Sequence, residues 1–333
     1  MRANSVDSHA TGARRHRRRR REARPLAYGM KRAVVVTGAS RGIGEACALR
    51  LDSLGFTVFA GVRTATDARA LQLKASPRLI PILLDVTDGD SIASAARTVA
   101  DSLQGGGLAG LVNNAGIAVA GPLEFLATDM LRHQFEVNVV GQVAVTQAFL
   151  PLLRKGKGRI VNMGSKEGRL AMPFLGPYCA SKFALEALTD SLRMELRAWD
   201  IPVSIVEPGT VATSILERSI AAAEDTVRDL PEHAHELYDP AIAAARRAAD
   251  GIVASAAPAD AVAGAVVHAL TARRPKSRYV VGRDARLVSL MARFIPDTLC
   301  QSLVLRQMGL PRQCAQLDKG KVPVNRRMEC KCW

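Results

Sequence analysis

The sequence predicts a doubly wound α/β protein built on a parallel sheet, a single domain with a helical C-terminal extension. Three observations point there. Short runs rich in Val, Ile and Leu recur between longer helical patterns without polar alternation, as expected of strands buried on both faces. The first run, Ala33 to Thr37, passes directly into a glycine-rich turn, Gly38-Ala-Ser-Arg-Gly42-Ile-Gly44, and then into a helical pattern. Later runs also end in turns of small, amide or hydroxyl residues, and the carboxyl ends of strands are where open α/β sheets bind ligands.

Strand, glycine turn and helix (Glu45 to Leu54) form an anion-binding arrangement in which backbone amides and the helix dipole face a pyrophosphate. Gly38, Gly42 and Gly44, with Ser40, Arg41 and Ile43 between them, serve a tight turn, close approach to phosphate, or packing of helix on strand. Their spacing is not the general Gly-x-Gly-x-x-Gly, so a turn that merely packs is the alternative. The second strand, Phe56 to Gly61, ends in Val62-Arg63, where a Rossmann-type domain that prefers NAD carries Asp or Glu. Arg41 and Arg63 suit a 2′-phosphate, which a planar guanidinium matches well. NADP(H) is therefore the expected cofactor, with NAD(H) as the alternative and a solvated Arg63 as the plain reading.

The third strand, Leu79 to Leu84, leads to Asp85-Val86 and a helix from Asp88 to Leu103. Asp85 either accepts from an adenine amino group or caps the turn that follows. The fourth, Gly110 to Val112, ends in Asn113-Asn114-Ala115-Gly116, where small residues let backbone pass close to a flat ligand. A long helical pattern from Thr128 to Leu153 contains Asn138; inside an apolar stretch it is either a satisfied core amide or part of a polar relay. The fifth strand is Arg159 to Met163. The sixth, Ile201 to Val206, ends at Glu207-Pro208-Gly209-Thr210-Val-Ala-Thr213.

Between the fifth and sixth strands lies the stretch with the most chemistry. Ser165 follows the strand, a loop carries Pro173, Gly176 and Pro177, and a helical pattern runs from Tyr178 to Trp199. A spacing of four sets Tyr178 and Lys182 on one helix face. A phenol titrates near pH 10, and a nearby cation favours its phenolate. Lys182 supplies the cation, and Ser165 presents a hydroxyl to the same substrate oxygen. Met172, Phe174 and Leu175 lie between the two hydroxyls and form a candidate apolar substrate wall.

Residues 214–256 are Ala-rich, charged and helical, and are read as a substrate-covering segment. His233 and His235 share no helix face, and no metal site is expected. Pro258 to Ala272 is a further helix and Ser277 to Val281 a final strand. From Asp284 to Gln307, Leu287, Leu290, Met291, Phe294, Leu299, Leu303 and Val304 form an apolar stripe interrupted at Pro296. Such a stripe is expected to lie on the core or on a subunit neighbour, a membrane surface being the minority reading.

The 333 residues are 48% hydrophobic but only 4% aromatic, so aliphatic side chains must fill the core. Of the +15 formal charge, residues 1–30 carry +7 and residues 311–333 carry +4, leaving only +4 on the body. The basicity thus belongs to the ends: an Arg-rich extension over 1–29, expected to be disordered, and a loose tail over 311–333. Met30, directly before the first strand, is the expected start of translation. Nucleic-acid binding is not expected apart from the Arg-rich tail. The six cysteines include no Cys-x-x-Cys pair and read as reduced thiols of a cytoplasmic protein. No uninterrupted apolar run has the length of a membrane span.

From about Lys31 to Leu310 the chain resembles the short-chain dehydrogenase/reductase family. The resemblance rests on Thr37-Gly38-x-x-x-Gly42-Ile43-Gly44, Asn113-Asn114-Ala115-Gly116, Asn138, Ser165, Tyr178-x-x-x-Lys182 and Pro208-Gly209, in that order. It implies that Tyr178 is the acid/base and that Ser165 polarises the carbonyl oxygen. Lys182 would hold the nicotinamide ribose and lower the Tyr178 pKa, and Asn138 would position a water leading to Lys182. Thr210 and Thr213 would sit near the nicotinamide amide or the diphosphate. Arg273 to Gly282 and Tyr178 to Leu188 resemble the branch of estradiol 17β-dehydrogenase and the retinol dehydrogenases, which implies a lipophilic alcohol or the matching carbonyl. A homo-oligomer, dimer or tetramer, is expected. Lys166-Glu167 departs from the family pattern of small or apolar residues after the serine, and is expected to pair at the rim or reshape the substrate mouth. The alternatives are a 3-oxoacyl thioester reductase and a non-catalytic NADP(H)-binding sensor or scaffold.

Overall fold

The computed structural model describes residues 32–211, 214–253 and 256–310. The expectations for residues 1–29, Met30, Thr213 and 311–333 lie outside these residues. In chain order, β1 (Ala33–Val36), α1 (Gly42–Ser53), β2 (Thr57–Val62), α2 (Ala65–Gln72), β3 (Leu79–Leu83) and α3 (Gly89–Ser102) make the first half of the sheet. The second half continues with β4 (Gly110–Asn113), α4 (Thr128–Phe135), α5 (Gly141–Gly156), β5 (Arg159–Met163), α6 (Gly176–Glu195) and β6 (Val203–Pro208). It closes with α7 (Ser214–Arg228), α8 (Glu232–Val253), α9 (Ala259–Thr271), β7 (Arg278–Val281), α10 (Arg283–Phe294) and α11 (Asp297–Gln307).

The seven strands are all parallel, in the order β3-β2-β1-β4-β5-β6-β7. Successive strand residues face opposite sides, and the unbroken apolar runs use both. Val34, Val36, Val58 and Val112 pack with Leu51 of α1 and Val262 and Val266 of α9. Ala33, Val35, Phe59 and Leu111 pack with Val99 of α3 and Phe149 and Leu153 of α5. Pro81 falls within β3, an edge strand, where a missing N–H is tolerated.

The long helical pattern after β4 is interrupted. Residues Glu136–Val140 form a π-helical turn between α4 and α5, placing Asn138 at the break, fully buried. The run Thr128–Gly156 is long and apolar enough to cross a membrane, yet here Val137, Val145 and Phe149 face the sheet. At the C-terminal end one of the two expected supports for the apolar stripe, the core, is corrected. Leu287, Leu290, Phe294, Leu299 and Leu303 do not lie on the core; they are 60%, 58%, 70%, 52% and 41% exposed. The α10–α11 pair is held instead by Ala285, Cys300 and Val304, which are buried, so the residues that pack are mostly not the large ones of the stripe.

Candidate active site

The strand order reverses between β1 and β4, and the ends of these two strands are stitched together. The Thr37 hydroxyl accepts from the backbone N–H groups of Asn114 and Ala115, both at 2.9 Å. The Asn114 amide donates to the carbonyls of Thr37 at 3.0 Å and Gly38 at 3.1 Å. Gly38 has φ +62°, and a Cβ there would sit 2.9 Å from the Ala115 Cα. A Cβ on Gly44 would run into the Gly38 carbonyl. The glycine spacing is thus a packing requirement that brings the first turn of α1 against the β1 and β4 ends. Gly44→Ala is expected to lower stability by about 1–3 kcal/mol through overpacking. Gly89→Ala, with nothing within 4 Å, should be near neutral; paired urea denaturation curves check both.

A cavity of about 420 Å³ opens over these strand ends. Of the expected cofactor residues it is lined by Gly38, Ser40, Arg41, Arg63, Asp85, Val86, Asn114, Ala115 and Gly116. Gly42, Ile43, Gly44, Tyr178, Lys182, Pro208, Gly209 and Thr210 do not line it. Its lining also includes Thr87, Ile117, Val119, His133 and Ala222, which the sequence did not single out; only those beside predicted strand ends carried any signal. Asp85 caps its turn as one reading held: its carboxylate accepts from the Thr87 N–H at 2.9 Å and hydroxyl at 2.7 Å. Burial opposes ionisation, but these bonds and Arg63 hold Asp85 below its usual range. Arg41 stands at the N-cap of α1 without a side-chain cap bond and lies 3.6 Å from Asp67 of α2, an acid the sequence reading missed.

The cavity connects to α6 through Asn138. Its carbonyl oxygen accepts from the Ile117 N–H at 2.9 Å, and its amide donates to the Ile117 carbonyl at 3.0 Å and the Ser181 hydroxyl at 3.1 Å. Asn138 therefore fixes the loop after β4 against the turn of α6 that separates Tyr178 from Lys182; it makes no direct bond to Lys182.

Ser165, Tyr178 and Lys182 converge as expected. Ser165 lies close enough to Tyr178 to lower its pKa. The Lys182 ammonium donates to the Met163 carbonyl at 2.8 Å and lies 5.6 Å from the Tyr178 ring centre. One electrostatic expectation is corrected. The Tyr178 pKa is raised, chiefly by burial and then by the Glu167 charge, against which Ser165 works. Burial pushes Lys182 down to about 8, while Glu167 and Glu186 oppose that shift. Lys182 is turned toward the β5 carbonyl rather than the phenol oxygen, so in this arrangement its charge does not offset the desolvation of Tyr178.

Lys166 and Glu167 form the ion pair expected of them, but it is the loosest of the contacts Lys166 makes. Lys166 donates to Asp284 at 2.8 Å and to the Thr210 hydroxyl at 2.9 Å, and stands 3.8 Å from Glu167. Asp284 also accepts from the Thr210 N–H at 2.8 Å. A Cβ on Gly209 would collide with the Asp284 carboxylate. The turn after β6 is thereby tied to α10 rather than presented to the cavity. Of the expected substrate wall, Met172 and Leu175 are half-buried. Phe174, at φ +64°, packs edge-on against Tyr238 of α8 at 6.3 Å. Phe125 meets Tyr238 at 5.8 Å and His233 at 5.2 Å, and Leu230 and Ile242 complete the cluster. These contacts hold α8 against the loop before α6.

A doubly wound sheet with a cavity of about 420 Å³ at its switch point, and a hydroxyl, phenol and ammonium group beside it, defines a nicotinamide-dependent oxidoreductase. A family model described as short chain dehydrogenase matches residues 32–224. Retinol dehydrogenase 5 of Homo sapiens is 39% identical over 288 residues, covering 84% of this chain and 90% of that one. The Homo sapiens 17-beta-hydroxysteroid dehydrogenase type 6 is 34% identical over 298 residues, covering 88% and 94%. A short chain dehydrogenase from Burkholderia cenocepacia J2315, solved in complex with NADP, superimposes with a TM-score of 0.63 at 25% identity, covering 83% of this chain and 96% of that one. The chain belongs to the short-chain dehydrogenase family, as an NAD(P)-dependent enzyme acting on CH–OH groups.

Proposed function

We propose that the protein is an NADP(H)-dependent oxidoreductase that interconverts a lipophilic alcohol and its carbonyl, with Tyr178 as the general acid/base. The observation that carries this reading is the meeting of Ser165, Tyr178 and Lys182 one hydrogen-bonded residue, Asn138, away from the loop that lines the cavity. The residues present fit a dinucleotide: Gly38 and Gly44 admit no side chain, and the first turn of α1 has no side-chain cap. Gly38, Ser40 and Arg41 would hold its phosphates, Arg41 and Arg63 its 2′-phosphate, Asp85 and Val86 its adenine end, and Lys182 the nicotinamide ribose. When bound, the dinucleotide gives a hydride to the carbonyl carbon or takes one from the alcohol carbon. Tyr178 gives its phenolic proton to the oxygen in reduction and recovers it in oxidation. Ser165 fixes that oxygen through its hydroxyl. Lys182, 5.6 Å from the Tyr178 ring centre, would bring its positive charge to the developing negative charge on turning from the Met163 carbonyl.

Support for a lipophilic substrate comes from the half-buried Met172 and Leu175, the covering of α8, and the names of the relatives. The direct test is NADPH oxidation and NADP reduction across steroid, retinoid and smaller ketones, aldehydes and alcohols and 3-oxoacyl thioesters, with NADH alongside. Activity confined to 3-oxoacyl thioesters would move the assignment to that alternative.

The cofactor preference rests on Arg41 and Arg63 and on the absence of an acid at Val62-Arg63. Hydrogen bonds to charged groups contribute about 1.5–3 kcal/mol, so R41A/R63A is expected to raise KM for NADP(H) by about 10- to 100-fold. KM for NADH should change little. A wild-type preference for NADH would overturn the assignment of both arginines.

A further inference from the structure

Glu167 is the residue least expected beside a catalytic serine, and its geometry gives it a task. Its carboxylate lies 2.5 Å from the Ser165 hydroxyl oxygen, and its side chain is 15% exposed. The nearest cation, Lys166, is committed to Asp284 and Thr210 at 2.8 and 2.9 Å. Glu167 therefore keeps an acceptor oxygen on Ser165 with no competing close donor from Lys166. A serine hydroxyl has one proton and two lone pairs, and an ionised carboxylate is the strongest acceptor that proton can find.

We infer that Glu167 is a positioning residue that takes the single Ser165 proton, so that Ser165 meets the substrate oxygen as an acceptor and the site holds the alcohol more tightly than the carbonyl. This rests on the hydride-transfer reading above. An alcohol carries its own O–H and donates it to Ser165, while its oxygen lone pair accepts from Tyr178. A carbonyl oxygen has only lone pairs. To bond to Ser165 it must first draw the proton away from Glu167; otherwise two acceptors face each other. The Glu167 charge also reaches Tyr178 and Lys182, so the same carboxylate acts on the whole group. No catalyst alters the overall equilibrium; the bias is expressed in the affinities of the ground-state complexes, as a split between KM and kcat.

The test uses non-reacting ternary complexes of the full chain: 17β-estradiol with NADPH and estrone with NADP, each followed by isothermal titration calorimetry, with retinol and retinal as a second pair. Glu167→Leu is expected to tighten estrone or retinal by about tenfold, the scale of one charge-assisted hydrogen bond, and to weaken the matching alcohol. Glu167→Gln, which keeps the shape and a neutral acceptor, should shift both constants in the same directions but less. In a Ser165→Ala background the Glu167 substitutions should lose their opposing effects, since the coupling runs through that hydroxyl. Carbonyl and alcohol constants that move together, or that do not move in Glu167→Gln and Glu167→Leu alike, would overturn the inference while leaving the enzyme assignment intact. Wild-type protein that turns over neither pair nor any member of the broader screen would overturn the hydride-transfer reading and this inference with it.

Discussion

Tyr178→Phe is expected to lose turnover by about 10² to 10⁴, the usual contribution of a general acid or base, while binding NADPH as the wild type does. The substitution removes one oxygen and keeps the ring, so the packing of α6 is preserved. The cavity is built from the ends of β1, β2, β3 and β4, none of which depends on the phenol. Because burial and Glu167 raise the Tyr178 pKa, the residue carries its proton throughout neutral pH and stands ready as an acid for carbonyl reduction. The measurement is single-turnover NADPH oxidation with the best ketone from the screen, beside a fluorescence titration of the cofactor. Near-normal turnover in the variant would remove Tyr178 from the mechanism. Lost cofactor binding would mean that the phenol has a structural role in the cavity.

The sheet was legible because its inner strands are buried on both faces: Ala33–Val36 is an unbroken apolar run buried throughout, whereas Val203–Pro208 is buried throughout with Ser204 and Glu207 inside it. Ser165, Tyr178 and Lys182 were legible because they share one stretch whose spacing fixes a common face. What the sequence hid is tertiary. Asp284 reaches Lys166 across more than a hundred residues, and His133 and Ala222 enter the cavity from helices distant in the chain. Glu186, Glu207, Arg169 and Arg278 form a charged cluster beneath α6 and β7 that no local pattern announces. The stripe on α10 and α11 shows the converse limit. Periodicity reveals that a helix has an apolar face, but not what covers it, and here Leu287 and Phe294 remain exposed while Ala285 and Cys300 pack.

The direction of the Lys182 shift yields a second large effect, in stability. Burial lowers its pKa from the ordinary 10.5 to about 8, and the residue is only 4% exposed. At pH 7 the lysine is charged in both folded and unfolded chains, and the folded protein bears the full cost of enclosing that charge. As pH rises from 8, the folded chain releases the proton first, so the unfolded chain binds more protons and folded stability increases. One pKa unit corresponds to about 1.4 kcal/mol, so between pH 8 and 10 this group adds ~2 kcal/mol to wild-type stability. Above pH 10 the raised Tyr178 pKa acts with the opposite sign, because the unfolded phenol then ionises first. Lys182→Met removes the titration and, with it, the hydrogen bond to the Met163 carbonyl at 2.8 Å; the lost bond is independent of pH. Urea denaturation of both proteins at pH 8, 9 and 10 should therefore show the variant losing ground to the wild type by ~2 kcal/mol across the series, while its turnover is greatly reduced at every pH. Parallel stability curves would mean that Lys182 holds its proton through this range, and that the ammonium is balanced by Glu167 and Glu186 more fully than its burial implies.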